Sequence, residues 1–442
     1  MRSIFVGMSF VPLVAVASLA AGRCEYDAAL GDSAELVLSV TARCAGVAAP
    51  GFTQARGVPA SAIEDRRGEE GGLGVSYRVR LSVLAEKSGS PDVARRVGGM
   101  VVSPIPVWLL QPEDEEAEVS LRLALRDGLD AAINLRREGG RYVLVAEDID
   151  YGGYAAFGRF ARETLALPGG SVEVVHQPGT LAMDAGELKR AVGEAAAEVA
   201  RYYGRFPVAH ALLFALPGSA RPGIEFGRVR GGGGATLMLR LGTQARAAEL
   251  RREWVLVHEM IHLGGPFVVP RGAWLMEGMA TYVEPVVRQR AGWTSPEELW
   301  REFARDMDRG VDALTREGLE RVSRRGLYWG GALFMLLADI DIRERTSGRA
   351  SLETCLRAVL DAGGDTTRRW PRERVFQACD AATGSGTMRR LAAEYVEKPG
   401  ALDIAALWRG LGVSLENGQV RFDESAPRAA LRRAITQGPA AD

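Results

Sequence analysis

The hydrophobic pattern of the chain changes period once, near Asp184, and this limits the folds open to it. From about residue 30 to 180, apolar and polar residues alternate with period two. "LVLSV" at 36–40, "VSYRVRLSVL" at 75–84, "VSLRLAL" at 119–125 and "RYVLVAED" at 141–148 all read as strands. Acidic and glycine-rich connections such as "GEEGGLG" and "QPEDEEAE" separate them. "YGGYAAFG" at 151–158 reads as a turn, one that could also line a cleft. From Asp184 the repeat lengthens to that of a helix: "DAGELKRAVGEAAAEVARYYGRF" is amphipathic. A strand, "VAHALLFAL" at 208–216, and a glycine run, "RGGGGATLMLR", follow. Helical patterns then cover 245–263, 273–291, 296–310 and 328–346, and a hairpin is expected where Asn417-Gly418 turns "VSLENGQVRF". The expectation is an α+β protein. A signal segment at 1–22 precedes a β-rich unit at 23–180, a mostly helical unit with a small sheet at 181–350, and a mostly helical region at 351–442.

The first residues, "MRSIFVGMSFVPLVAVASLAAG", have the charged start, apolar stretch and small residues of an export signal, with cleavage after Ala20 or Gly22. An uncleaved anchor helix is the alternative. A lipid anchor fits less well, because Arg23 precedes Cys24. No later segment is long and apolar enough to span a bilayer. Four cysteines suit a periplasmic or secreted protein, and their spacing favours the pairs Cys24–Cys44 and Cys355–Cys379. A net charge of −1 offers nothing global to nucleic acid or an anionic membrane.

Chemistry concentrates in "EWVLVHEMIHL" at 253–263 and "WLMEGMATYVE" at 274–284. Residues four apart on a helix are separated by about 40°, so His258 and His262 can grip one ion. Glu259 projects beside them as a base that need not ligate. Leu250, Trp254, Val257 and Ile261 follow core spacing on the neighbouring face, and Gly264-Gly265-Pro266 ends the helix. On the second helix Glu277, Thr281 and Glu284 share a narrow arc. Glu277 suits a third ligand, and Glu284 suits a carboxylate that orients a histidine from behind. Two histidines and one glutamate leave the fourth tetrahedral position open, as in catalytic zinc sites. The other two histidines, His176 and His210, lie in strand-like segments and read as core or edge residues.

"HEMIH" together with "WLMEGMATYVE" resembles the gluzincin metallopeptidases, in particular the aminopeptidase N and glycyl aminopeptidase branches. "YWGGALFMLLADIDIRERTSGRASL" from Tyr328 is similar to their downstream helix, which begins Y-x-x-G and carries a catalytic tyrosine. The likeness runs from about 180 to 360. It implies a thermolysin-like catalytic unit, one zinc ion held by His258, His262 and Glu277, and a peptide or protein substrate. It also implies Glu259 as general base and Tyr328 as donor to the oxyanion. Two departures stand out. The interval from His262 to Glu277 is shorter than in aminopeptidase N. The G-x-M-E-N segment, whose glutamate holds a free amino group, has its counterpart in "GGGGAT", which has no acid. Gly233, Gly234 and Ala235 there would pair through their backbone with an extended substrate. Endopeptidase and aminopeptidase both remain open, as do a non-peptide amide hydrolase and a non-catalytic zinc-bearing envelope scaffold.

Overall fold

The computed structural model describes residues 22–31, 34–126, 128–324 and 326–438. The expected signal segment therefore lies outside the described residues, Gly22 excepted. Period-two alternation produces a seven-stranded sheet, in the order Arg136–Glu138, Arg141–Val145, Glu118–Leu125, Arg23–Gly31, Val37–Ala45, Gly74–Arg80 and Glu64–Gly68. Arg23–Gly31 alternates exposed and buried along its length, as a strand with one wet face must. Cys24 faces Cys44 in register, and the two are bridged. The strand expected at 75–84 stops at Arg80, and Leu81–Ser88 turns into a helix with three buried apolar residues among Leu81, Leu84 and Ala85. "YAAFG" is not a turn. Tyr154–Gly158 is a fully buried strand of a second, four-stranded sheet.

A five-stranded sheet opens the helical part, ordered Ala161–Leu167, Gly170–His176, Ala211–Pro217, Ala235–Leu241 and Ile224–Arg230. Two of its strands precede residue 181. Ile224–Arg230 pairs with Ala235–Leu241 only, so its outer edge is free of backbone partners within the sheet. The long helix Ala185–Tyr203 starts at the capping box expected of "DAGE": Glu187 N–H donates to Asp184 Oδ1 at 2.7 Å, and Asp184 N–H to Glu187 Oε2 at 3.0 Å.

A single apolar core runs from Val172 to Ile435, so the stretch beyond 351 packs with the helices before it. Cys355–Cys379 ties Leu352–Asp361 to Arg372–Thr383 within it. A second core fills the N-terminal sheets, and a third, with Tyr154, Phe214 and Met238, lies between the four- and five-stranded sheets. The hairpin at Asn417-Gly418 forms as expected. Among the described residues no helix is long and apolar enough to cross a membrane.

Candidate metal centre

The helix expected over 245–263 is broken. Ala247–Leu250 forms one turn, and a new helix runs from Trp254 to His262. Leu250, Val257 and Ile261 are buried as expected. Trp254 is not: as the first residue of the new helix it is 48% exposed, and its ring meets the His258 ring edge-on at 5.1 Å. Tyr203 Oη donates to the carbonyl of Ile261 at 3.1 Å, which also accepts from Gly264 N–H at 3.0 Å, so the helix end is fastened to Ala185–Tyr203.

Glu277 lies in the helix Ala273–Arg290 and Tyr328 at the start of Leu327–Thr346. Gly278 and Gly331 allow these two helices to meet backbone to backbone. A Cβ added at Gly278 would lie 2.3 Å from Gly331 Cα, and one added at Gly331 would lie 2.2 Å from the Trp274 carbonyl oxygen. The glycines of "EG" and "GG" thus bring the ligand helix and the tyrosine helix together.

His258, His262 and Glu277 converge. His258 Nε2 is 3.2 Å from Glu277 Oε2, His262 Nε2 is 3.4 Å from the same oxygen, and the two Nε2 atoms are 3.2 Å apart. Zinc ligands at about 2.0–2.1 Å in a tetrahedron are separated by about 3.3–3.4 Å. The three atoms therefore already sit near three corners of such a tetrahedron, and the donor set of two imidazoles and a carboxylate fits zinc. Burial pushes the His258 imidazole down to about 4, against the opposing pull of Glu277. That histidine is neutral, as a ligand must be, at any ordinary pH. For His262, burial also acts downward, but its hydrogen bond to Glu277 wins and the net shift is upward. Burial raises Glu277, yet the two histidines outweigh it and hold the carboxyl well below the usual range.

Glu259 is buried beside the trio, and burial pushes its carboxyl up to about 7, with the charge of Glu277 adding to the effect. His262, Arg228 and a hydrogen bond from the Val229 backbone pull the other way. That bond comes from the free-edged strand Ile224–Arg230. Gly227 of the same strand lies so close that a Cβ there would be 2.5 Å from Glu259 Cγ. The Tyr328 ring centroid stands 6.4 Å from that of His258, and the side chain is 39% exposed. Burial and the charges of Glu277 and Glu259 raise its phenol, keeping the proton on.

Two expectations fail. Glu284 is buried and ion-paired with Arg288 one turn along its own helix. Among the described residues no hydrogen bond joins it to either histidine. At i,i+4 from Glu284, Arg288 is the nearer charge, and it takes the carboxylate. The glycine run is not an open substrate strand either. Ala235 is fully buried and its carbonyl accepts from Asn134 Nδ2 at 2.6 Å, while Cβ atoms at Gly234 and Gly233 would strike Asn134 and Leu135. Glycine is needed there because the N-terminal part packs on that backbone. His176 ends a strand, buried, and His210 Nδ1 bonds Ser171 Oγ at 2.9 Å. Neither joins the trio.

Sequence reasoning missed the strand Ile224–Arg230, whose charges at Glu225, Arg228 and Arg230 mask its alternation. Arg228 Nη1 pairs with Asp92 Oδ1 at 2.5 Å, fastening this strand to the N-terminal part.

No protein-family model matches the sequence, and no curated protein matches it. Solved structures do match in fold. An aminopeptidase N family protein from Idiomarina loihiensis superposes with a TM-score of 0.65 at 12% identity, over 89% of this chain and 79% of that one. A two-domain M1 zinc metallopeptidase, a glutamate-to-alanine mutant bound to L-arginine, gives 0.50 at 15% identity over 86% and 94%. An M1 zinc metallopeptidase from Deinococcus radiodurans, bound to a Tyr-Ser-Ala substrate, gives 0.51 at 15% identity over 84% and 93%. The chain has the fold of these zinc metallopeptidases, as the resemblance of its motifs implied.

Proposed function

We propose that the protein is a zinc-dependent peptidase in which His258, His262 and Glu277 hold one ion, Glu259 is the general base and Tyr328 assists. The observation that carries this is the near-equilateral triangle of ligand atoms, 3.2–3.4 Å on a side, with a buried carboxyl next to it. The fold shared with M1 zinc metallopeptidases, some of which bind amino acids or a tripeptide, supports the same reading.

When bound, zinc supplies Lewis-acid polarisation of a carbonyl and makes water more acidic. Glu259, buried beside the three ligands, accepts the proton of the attacking water and returns it to the departing amine. The phenol of Tyr328 keeps its proton and donates to the oxygen on which charge develops. The free edge of Ile224–Arg230 offers backbone groups to an extended peptide, and its Val229 N–H also holds the base in place. The Trp254 ring packs against His258 and restricts its rotation.

A scaffold that only carries zinc has no need for a buried carboxyl beside the ligands, which favours the enzyme. Two disulfides support an exported protein. The test is hydrolysis of a panel of free and N-blocked peptides before and after chelation, with zinc added back. Cleavage that is lost and then restored is expected, and dependence on a free amine separates aminopeptidase from endopeptidase. Cleavage that survives full removal of the metal, or a zinc-loaded protein that cleaves nothing, overturns the proposal.

A further inference from the structure

Two cavities of different size and chemistry meet the trio. One, of about 80 Å³, touches it through His262 and Glu277 and is walled by Val229, Pro266, Phe267, Met276 and Met279. The other, of about 570 Å³, touches it through His258 and is also lined by Tyr328. Trp254 and Trp329 form apolar walls of this larger cavity, and Glu302 and Asp306 of the helix Pro296–Asp306 lie on its lining.

The charges of the large cavity are unevenly satisfied. Glu284 takes Arg288 in a buried pair. Asp306 is held by Arg305 and by Arg309, whose Nη2 is 3.1 Å from Oδ1. Among the described residues Glu302 pairs with the far side of the already occupied Arg288 guanidinium alone, at 3.5 Å. Burial raises its carboxyl, Arg288 and Arg305 oppose that, and Asp306 adds to it. Thr281 Oγ1, also on this lining, is buried without a hydrogen-bond partner.

We propose that these cavities are unequal subsites on the two sides of the scissile bond: the small one takes a compact apolar residue, and the large one a long side chain ending in a cation. The stem of a lysine or arginine would run between Trp254 and Trp329, and its charged head would meet Glu302. This assigns the substrate class of the peptidase site and rests on that reading.

The test is equilibrium binding of blocked peptides, by calorimetry, to the zinc-loaded full chain carrying Glu259→Gln, which removes turnover. Peptides place alanine on one side of the target bond and lysine, norleucine or glutamate on the other. Lysine should bind about tenfold more tightly than norleucine, a difference typical of one charge-assisted contact, and glutamate more weakly than either. Adding Glu302→Gln should bring lysine within about twofold of norleucine while leaving norleucine affinity unchanged. Met276→Ala should let leucine replace alanine on the small side. Equal binding of lysine and norleucine, or a lysine preference that survives Glu302→Gln, overturns the assignment. If the lysine preference is present but the wild-type protein cleaves neither these peptides nor their free-amine counterparts, the cavities are side-chain pockets without a scissile bond between them, and the peptidase reading falls while the Glu302 contact stands.

Discussion

The substitution Gly278→Ala tests whether two helix backbones meet behind the metal trio. The added Cβ would lie 2.3 Å from both Cα and C of Gly331 and 2.8 Å from its carbonyl oxygen, all backbone atoms that no side-chain rotation can move. Restoring an ordinary contact of 3.4 Å requires the helices to separate by 1.1 Å. Overpacking of this kind costs about 1–3 kcal/mol, while alanine returns up to about 1 kcal/mol of helix propensity. A net loss of about 1–2 kcal/mol follows. Because Glu277 is the adjacent residue, a shift of that size also moves its oxygen out of the triangle. Zinc affinity should fall about 10- to 100-fold, the range seen when the support of a ligand is removed. Chemical denaturation of the metal-free protein and competitive zinc titration measure the two effects. Gly193→Ala is the control, since its Cβ meets no more than the tip of Leu165, at 3.3 Å. A Gly278→Ala protein as stable as that control, with wild-type zinc affinity, would refute the close approach.

Other outcomes follow from the same geometry. Glu277→Ala should abolish stoichiometric zinc binding in a folded protein, and retention of one tight zinc would remove Glu277 from the ligands. Tyr328→Phe should lower kcat about 10²- to 10³-fold, as loss of an oxyanion donor does, with zinc content unchanged; an unaltered rate would make the residue structural. Asp339 is buried and bonded by Tyr282 Oη at 2.8 Å, Arg343 Nε at 2.9 Å and Leu352 N at 2.8 Å. Asp339→Ala leaves Arg343 buried without its partner and should cost about 3–5 kcal/mol in denaturant unfolding. His262 is raised by Glu277 whereas His258 is already neutral. Zinc uptake near pH 6 should therefore release protons from His262 and from Glu259, whose carboxyl burial raises to about 7, and the release should diminish as pH rises through these raised pKa values. A release that grows with pH would contradict this ordering.

How much of this was legible in the sequence depends on how far each interaction reaches along the chain. His258, Glu259 and His262 share one helix, and Glu277 sits on the next, so local periodicity was enough to gather them. Proximity also gave the disulfide partners, and the Asn417-Gly418 turn announced its hairpin. The misreadings share a different cause. Trp254 follows core spacing only if the helix is continuous, and the break at 251–253 changes its surroundings. Glu284 lies on the metal-facing arc but has Arg288 one turn away. The glycines at 233 and 234 look like an open strand until Asn134 and Leu135, a hundred residues earlier, are packed against them. The edge strand Ile224–Arg230 was hidden because its half-buried Arg228 and Arg230 bond across to the N-terminal part.

The most direct test of the account is a paired measurement on Glu259→Gln: zinc content by elemental analysis, and turnover of a peptide that the wild-type protein cleaves. The variant and the wild type should each hold one zinc, because the three proposed ligands are untouched, and the variant's turnover should fall by at least about 10²- to 10⁴-fold. Wild-type turnover in a variant that retains its zinc would contradict the assignment of Glu259 as the base.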